Sequence, residues 1–197
     1  MPPVFANVGT VLRTTVIGLP DAPITSQYVA NLPYASISAK IGKGQRSLLV
    51  LARYDGPDLH WVSTDHVVFV TRNGRLIRLI GAGADLKDTT RLADDPIASG
   101  SNQFAGTHVR DVDLEPDKRY GVTLESTYTM RGRETIAILD RSHDTLHVRE
   151  HATASSLRWV FENDFWIDSQ TGFVWKSVQY FARDLPPAEI AVLKPAA

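Results

Sequence analysis

From Tyr34 onward, hydrophobic and polar residues alternate along the chain with a period of two. In the first such segment, residues 34–41, alanines and isoleucines alternate with tyrosine, serines and lysine. This spacing puts successive side chains on opposite faces, which is typical of a strand with one buried face. A strongly apolar run predicts a strand over residues 47–54, and the clearest alternation predicts one over 120–130. Further strands are predicted over residues 59–63, 107–114, 135–139, 146–151, 157–167, 173–181 and 190–193.

The segment HVVFVTRNGRLIRLIG, residues 66–81, predicts a β-hairpin. Asn73-Gly74 is the preferred pair for a two-residue type I′ turn, because both positions need a positive φ. Arg72 and Arg75 then face each other beside the turn, so we expect them to splay into water or to meet an anion. The aliphatic pairs that this register predicts are Val70 with Ile77 and Val68 with Leu79.

A second hairpin is predicted in WIDSQTGFVWKS, residues 166–177. Asp168 can accept hydrogen bonds from backbone amides across the turn, and Gly172 supplies the positive φ that closes it. Trp166 lies on the polar face of this hairpin. The pairs predicted on its apolar face are Ile167 with Phe173 and Phe165 with Trp175.

Helical spacing is found at the start of the chain. Val4, Val8 and Leu12 recur every four residues and predict a first helix, and residues 24–31 predict a second one, which ends at Leu32-Pro33. The candidate N-caps of the second helix are Asp21 and Thr25.

The predicted fold class is mainly β, in a single domain of residues 1–197. An N-terminal helical segment covers residues 1–31, and an antiparallel β domain covers residues 34–194. Short turns between successive strands indicate an antiparallel meander, and a sheet of this many strands must curl into an open or partly closed barrel. Three interruptions are predicted: a short helix over 85–93, a loop over 96–102 and a turn at 131–133.

Composition and charge narrow the classes of function. The chain has 43% hydrophobic and 22% charged residues, as expected of a globular protein with a real core. A formal net charge of −1 gives no general attraction to nucleic acid. There is no apolar stretch long enough for a membrane-spanning helix. The absence of cysteine excludes disulfides, thiolate catalysis and cysteine-ligated zinc.

Three histidines at intervals of four residues raise the question of a metal site: His143, His147 and His151. On a helix they would form one metal-binding face. The local pattern instead predicts a turn followed by a strand, where His147 and His151 share a face but lie too far apart to chelate. We therefore predict outward-facing polar positions and no metal site.

Two groups of polar residues have the residue types of a catalytic site. Residues 60–66 contain a serine, an aspartate and two histidines, but no Gly-x-Ser-x-Gly elbow, and a turn that satisfies its own backbone explains them better. Glu162, Asp164 and Asp168 have the chemistry for acid and base work on a glycan, yet the first two fit a solvent-facing row of a strand. Without a glycine-rich phosphate loop or a dinucleotide-binding fingerprint, we predict no catalytic residues and no cofactor.

The remaining candidates for a ligand site are tryptophans on strands and the arginine pair. Aromatic rings in a curved sheet can line a cavity for an acyl chain or stack on sugar rings, although most tryptophans belong to the core. An arginine pair at a hairpin tip can meet an anionic sugar. The predicted ligand-binding residues are Trp61, Arg72, Arg75 and Trp166.

Several long motifs resemble the GfcB/YjbF family of lipoproteins, which is associated with group 4 capsule and exopolysaccharide production. They are LPYAS, VTRNGRL and TGFVWKS, which lie in turn within the longer runs ITSQYVANLPYASISAKIG, LLVLARYDGPDLHWVSTDHVVFVTRNGRLIRLIG and FWIDSQTGFVWKSVQYFARDLPPAEIAVLKP. The run RYGVTLESTY has the same resemblance. They occur in the order that the family has, and the resemblance extends from Ile24 to the C-terminus.

The resemblance implies an outer-membrane lipoprotein that faces the periplasm, anchored by an acylated N-terminal cysteine. This sequence has neither a cysteine nor a signal peptide, so the expectation is that it begins just after the lipid-bearing residue. The family implies no enzymatic activity. Its members are encoded with secretion machinery for an acidic or capsular polysaccharide, so the implied partners are that polysaccharide or the proteins that export it.

Three functions are compatible with the sequence. The first is a non-enzymatic periplasmic accessory protein that binds the polysaccharide or a subunit of the export complex. The second is a carrier of lipid or lipoprotein with an apolar cavity, and the third is a glycan-processing enzyme. A carrier needs a lined apolar cavity, a polysaccharide binder needs exposed aromatic rings and cations, and an enzyme needs titratable groups that converge in a cleft.

Overall fold

The computed structural model describes residues 24–101, 103–115 and 118–196. The helix predicted from Val4, Val8 and Leu12 and the candidate cap Asp21 lie outside these residues. Within them, the predicted second helix is confirmed as α1, Ser26–Asn31, and Thr25 is its N-cap, accepting a hydrogen bond from the Tyr28 amide. No helix in the described part of the chain is long and apolar enough to span a membrane.

Twelve antiparallel strands within the described ranges form one closed barrel. Each strand pairs with its neighbour in sequence, and β1 pairs with β12 to close the ring, so the predicted meander is confirmed. The strands are β1 Ser36–Ile41, β2 Ser47–Asp55, β3 Asp58–Val62, β4 Val68–Arg72, β5 Arg75–Ile80, β6 Asp85–Thr90, β7 His108–Glu115, β8 Arg119–Ile138, β9 Arg141–Ala154, β10 Trp159–Asp168, β11 Val174–Gln179 and β12 Ala188–Lys194.

The inward side chains of this barrel form its main apolar core. Alternation along β10 shows how the sequence sets the inside and outside: its odd-numbered residues are buried, and its even-numbered residues are exposed or half-buried. Trp159 is one of the inward residues and stacks on Phe161, so this tryptophan belongs to the core. Burial of such rings and of branched aliphatic side chains is the main stabilising term of the fold.

The β4–β5 hairpin forms at Asn73-Gly74 as predicted, and both turn residues have a positive φ. Arg72 pairs with Arg75, but the aliphatic register predicted beyond them is wrong. A β-bulge shifts the pairing, so Val70 faces Arg78 and Val68 faces Ile80. The bulge places Leu76 and Leu79, three residues apart, in the same core cluster, which strict alternation would not allow.

The short helix predicted over 85–93 is wrong, because residues Asp85–Thr90 form strand β6. A helix there would leave the facing edges of β5 and β7 without backbone partners, whereas β6 pairs with both. A helix lies instead at α2, Pro96–Ser99, where a loop was predicted. Asp95 caps α2, and Gly100 ends it in the left-handed conformation.

The turn predicted at 131–133 is also wrong. Strand β8 continues through it, and Gly132, with a φ of 118°, lies at a bulge in the pairing with β9. The β8–β9 hairpin therefore extends from the barrel to a tip at residues 139–140. Beyond the bulge, Ile136 and Ile138 pack against Ala191 of β12, so this arm covers part of the outer face of the barrel.

The β10–β11 hairpin closes as predicted, with Asp168 accepting hydrogen bonds from the amides of Gln170 and Thr171, and Gly172 at a φ of 75°. Its predicted register is wrong for two reasons: the turn closes between Asp168 and Phe173, which shifts the pairing by one residue, and Trp175 is an extra residue at a bulge, which shifts it by one more. The pairs observed are Ile167 with Val174, Trp166 with Lys176, and Phe165 with Ser177.

Candidate functional site

One end of the barrel opens into a cavity of about 320 Å³, here called the mouth pocket. Its volume lies at the lower end of the range of ligand sites, roughly 300–1,000 Å³. The β2–β3, β4–β5 and β10–β11 turns contribute to its entrance, and inward side chains of β1, β3 and β12 form its floor. Short turns that bring distant strands to one end of a barrel thus create the site.

Exposed aromatic rings form the rim of the mouth pocket. Tyr54 of β2 is 53% exposed, and Phe173 of the β10–β11 turn is 37% exposed. Phe173 packs edge-to-face on Trp175, with ring centroids 4.7 Å apart. The Trp175 indole donates to Asp168, whose pKa is lowered to about 2, chiefly by the Thr171 amide. This charged turn therefore fixes the position of two rim rings.

Trp61, a predicted ligand-binding residue, lies in the floor of the mouth pocket. It is 2% exposed, and its Nε1 donates to the Thr71 hydroxyl at 2.9 Å. The polar atom of the indole is thus used inside the protein, and the ring presents only apolar surface to the cavity. Whether Trp61 contacts a ligand stays a prediction.

Arg72, the second predicted ligand-binding residue, is held by an ion pair. Its Nε and Nη2 donate to the two carboxylate oxygens of Asp58 at 2.5 and 2.9 Å. The hydrogen bonds to Asp58 raise the pKa of Arg72. A bidentate pair of this kind fixes the orientation of the guanidinium, so the anion that Arg72 meets here is on the neighbouring strand β3.

Arg75, the third predicted residue, does not point into water. It is 2% exposed and lies in a set of ionisable side chains inside the barrel, here called the buried ion cluster: Arg75, Asp95, Arg110 and Glu150. Arg75 Nη1 lies 2.7 Å from Glu150 Oε2. Its Nε lies 2.9 Å from Asp95 Oδ2, in an ion pair whose angle is outside that of a hydrogen bond. Its guanidinium carbon lies 4.7 Å from the centre of the Phe165 ring.

The two positive and two negative charges of the buried ion cluster balance. Arg110 Nη1 donates to Glu150 Oε1, which also accepts from the Ser126 hydroxyl at 2.7 Å. Burial by itself would raise the pKa of Glu150, but Arg110 and Arg75 hold it below its ordinary value. Burial and the adjacent Glu150 raise the pKa of Tyr128, whose hydroxyl accepts from Arg75. The cluster is internally neutral and hydrogen-bonded, as buried charges must be.

The β8–β9 arm faces Trp166, the fourth predicted residue. The Nε1 of Trp166 donates to Glu134 at 2.8 Å, and the Trp166 ring stacks on His147, with the ring centroids 4.8 Å apart and the planes inclined by 7°. Lys176 lies over the same ring, with its Nζ 5.0 Å from the centroid. Trp166 therefore lies outside the barrel wall, away from the mouth pocket, and is half-covered by the arm.

The three spaced histidines lie on one strand, β9, because the turn predicted around His143 is part of that strand. His143 packs on Trp175, and burial and Arg141 lower its pKa. His147 Nε2 lies 2.7 Å from Asp164 Oδ1. No group of three or more His, Asp or Glu within the described ranges is arranged to hold a metal ion.

The polar residues that resembled catalytic sets have structural partners. The Ser63 hydroxyl donates to Asp65 at 2.5 Å and accepts from the Val67 amide at 3.0 Å, as predicted for a turn that satisfies its own backbone. Glu162 and Asp164 share an outer face of β10 and both accept hydrogen bonds from Arg149. This is the solvent-facing row predicted from the alternation of β10.

Neither the mouth pocket nor the buried ion cluster was found from the sequence. Pocket residues such as Tyr54 and Phe173 come together only through the closed topology. The cluster did leave a signal in the alternation, because its charges lie at positions of apolar parity. Arg110 shares a strand face with Val112, and Glu150 shares one with Val148.

Comparison with known proteins gives one family and two curated relatives. The family model described as group 4 capsule polysaccharide lipoprotein GfcB, YjbF matches residues 9–193. The uncharacterized lipoprotein GfcB of Escherichia coli K12 is 30% identical over 186 residues, which cover 93% of this chain and 87% of the relative. The uncharacterized lipoprotein YjbF of the same strain is 27% identical over 199 residues, covering 96% of this chain and 89% of the relative.

A crystal structure with the same fold is that of the hypothetical lipoprotein YmcC from Escherichia coli K12. It superimposes with a TM-score of 0.80 at 26% sequence identity, over 100% of this chain and 99% of the other. The agreement covers the whole barrel, and none of these names includes an enzymatic activity.

Proposed function

The chain belongs to the family of group 4 capsule polysaccharide lipoproteins, and from this premise we propose that it is a non-enzymatic accessory protein of capsule or exopolysaccharide production that binds the polysaccharide at its mouth pocket. Under this proposal it acts in the periplasm, held at the outer membrane by a lipid. The observation that carries the proposal is the open pocket with exposed aromatic rings at one end of a closed barrel.

The rim has the chemistry that sugar recognition needs. Tyr54 is 53% exposed and Phe173 is 37% exposed, and the Trp175 packing and the Asp168 turn hold Phe173 in place. Rings held in position bind a sugar ring with little loss of side-chain entropy. Truncation of an aromatic residue in an interface is among the changes that weaken binding most.

The position of the ionisable groups favours binding over catalysis. The charges that converge inside the barrel pair with one another, so Glu150 and Asp95 are occupied by Arg75 and Arg110. A catalytic acid or base must reach a substrate proton within hydrogen-bond distance. The residues of the buried ion cluster are at most 5% exposed and already paired, so they do not fit that role. The mouth pocket is accessible, but its lining is mainly apolar.

Binding of purified capsular polysaccharide from the producing strain tests the proposal. We expect the double variant Tyr54→Ala/Phe173→Ala to bind the polymer at least tenfold more weakly, a change of about 1.4 kcal/mol. The matched control is Tyr120→Ala, which removes a tyrosine that is 59% exposed on β8, outside the pocket. Isothermal titration calorimetry on both variants, with circular dichroism to confirm folding, measures the difference.

Cell-based measurement completes the test. In a strain lacking the gene, we expect the wild-type protein and the Tyr120→Ala variant to restore surface polysaccharide, and the double variant to restore less. Wild-type protein that shows no affinity for the polymer would refute the proposal. If the double variant instead loses an export protein in pull-downs and keeps the polymer, the mouth pocket docks a protein and not a glycan.

A further inference from the structure

The floor of the mouth pocket differs in chemistry from its rim. Below the aromatic rings, the lining consists of Ile37 of β1, Leu59 and Trp61 of β3, and Ile190 and Val192 of β12. Leu59 and Trp61 are two residues apart on one strand, as are Ile190 and Val192 on another. Each pair therefore covers about 7 Å along its strand, and the apolar floor runs lengthwise along the barrel wall.

The polar side chains that border this floor already have partners in the described structure. The Thr71 hydroxyl accepts from Trp61, and the Ser177 hydroxyl accepts from Gln179 Nε2 at 2.9 Å. The Asn73 amide donates to the Ala98 carbonyl at 2.8 Å. Sugar hydroxyls pushed into this part of the cavity would lose their hydrogen bonds to water and would compete for partners already in use.

The one lysine in the described lining points its charge elsewhere. Lys176 lies over Trp166 on the outside of the barrel, and its Nζ is 3.9 Å from Glu189. The ammonium group of Lys176 is thus directed to Trp166 and Glu189, although the residue is part of the pocket lining. The floor thus suits a ligand group without charge and without hydrogen-bonding atoms.

We propose that the floor of the mouth pocket binds a single linear hydrocarbon chain, so that the ligand is an amphiphile whose saccharide lies at the rim. The whole mouth pocket has a volume of about 320 Å³, so its floor takes a chain of at most roughly ten carbons, if each methylene fills the ~30 Å³ of a water molecule in the liquid. The inference deepens the proposed function and rests on it only for the position of the saccharide.

A series of alkyl glucosides tests the inference, since the head group stays constant and the chain grows. With methyl, hexyl, octyl, decyl and dodecyl glucoside, each below its micelle concentration, we expect affinity to rise about fourfold per added methylene. The rise should stop at or before roughly ten carbons, where the floor is full. Calorimetric titration of the full-length protein measures both the rise of affinity with alkyl chain length and the length at which the rise stops.

A large side chain placed in the floor of the mouth pocket should abolish the dependence of affinity on alkyl chain length. We expect Val192→Trp to lower the affinity for octyl glucoside at least thirtyfold and to flatten the dependence of affinity on chain length. The matched control is Val160→Trp, at a β10 position that is 58% exposed and faces away from the pocket. Leu59→Trp, on strand β3, serves as a second blocking variant if the first does not fold.

The outcomes separate this inference from the proposed function. Equal binding of methyl and decyl glucoside overturns the inference and leaves polymer binding intact, as does a chain-length dependence that survives both blocking variants. Decanoate that binds as tightly as decyl glucoside supports the chain site and identifies the ligand as a free lipid. Tighter binding of the glucoside supports a lipid-linked saccharide. A chain-length effect without any polymer binding supports the inference and refutes the polymer proposal.

Discussion

The mouth pocket and the buried ion cluster lie in the same barrel but differ in their access to solvent and in the side chains that line them. The pocket is open to solvent, and its floor is apolar, with its bordering polar groups paired. The cluster is closed to solvent, and four charges fill it. Accessible surface with unused apolar area suits binding, while paired charges out of reach of solvent suit the fixing of one structure.

The two regions meet at the β4–β5 turn. Gln179 of β11 donates to the Gly74 carbonyl and accepts from the Leu76 amide, so the turn that borders the mouth pocket is tied across the barrel. Arg75, beside that turn, belongs to the cluster. The ion cluster therefore holds one wall of the pocket in place. Substitutions in the cluster, in the β4–β5 turn and at the pocket rim test this connection.

The largest effect is expected at Glu150. Glu150→Gln leaves Arg75 and Arg110 with Asp95 as their single negative partner in a site closed to water. An uncompensated buried charge costs about 3–5 kcal/mol of unfolding free energy, which urea denaturation measures. The control Glu162→Gln breaks an exposed pair with Arg149 and should cost roughly 0–1 kcal/mol. A variant as stable as the wild type would mean that the cluster is not structural.

The next effect concerns Asp95, which has two tasks. Its Oδ1 accepts from the Ile97 and Ala98 amides as the N-cap of α2, and its carboxylate pairs with Arg75. Asp95→Asn keeps a capping side chain and removes the charge, whereas Asp95→Ala removes both. We expect both to lose about 2–4 kcal/mol, with the alanine variant about 1 kcal/mol less stable than the asparagine variant.

Equal unfolding free energies for the two Asp95 variants would show that the cap contributes nothing. In that case the ion pair alone would hold α2, whose Ile97 packs on Phe165 inside the barrel. A thermal shift for the double variant Asp95→Asn/Glu150→Gln that is smaller than the sum of the single shifts would show that the two carboxylates act as one cluster.

A third prediction tests the connection between the two regions at Gly74. Its φ is +82°, and a β-carbon there would lie 2.4 Å from the Val174 side chain. We expect Gly74→Ala to cost about 2–3 kcal/mol and to weaken binding at the pocket, which both residues line. Gly56→Ala is the matched control, with a φ of +58° and nothing near its β-carbon, and should cost about 1 kcal/mol. Partial rescue by Val174→Ala would confirm the contact.

Local patterns in the sequence were enough to predict most strands and the turn at Asn73-Gly74. A period of two and a pair of residues with positive φ depend on neighbours in the chain, so one sequence shows them. The wrong register at Val70 comes from a bulge, and the one at Trp175 comes from a bulge together with a turn that closes one residue away from the predicted pair. Local pairing rules carry no information about such shifts.

The candidate site was less predictable than the fold for the same reason. Trp61 was rightly suspected to lie on a strand, but its place in the pocket floor follows from barrel closure between β1 and β12. Arg75 was expected beside the turn, either in water or against an anion, but the sequence did not show that this anion would be the buried Glu150, 75 residues away. Charged residues at apolar positions of β7 and β9 were the one sequence sign that the interior contains an ion cluster.

The smallest effect is expected at the rim, where Asp168 ties the β10–β11 turn. The Thr171 and Gln170 amides lower its pKa to about 2, below the roughly 3.9 of an unfolded aspartate. Because the folded pKa is the lower one, this stabilisation is complete above about pH 5 and is lost as the pH falls from about 4 to 2. Water screens the exposed turn, so we expect less than about 1 kcal/mol.

Asp168→Asn can still accept the same amide hydrogen bonds but does not titrate. The stability advantage of the wild type over Asp168→Asn should therefore be constant near neutral pH and should shrink between about pH 4 and pH 2. Thermal unfolding of both proteins across this range measures it, and the acid sensitivity of Glu150, common to both, cancels in the difference. A constant gap down to pH 2 would mean that the Asp168 charge adds nothing to the rim, and that the turn holds Phe173 through its backbone hydrogen bonds alone.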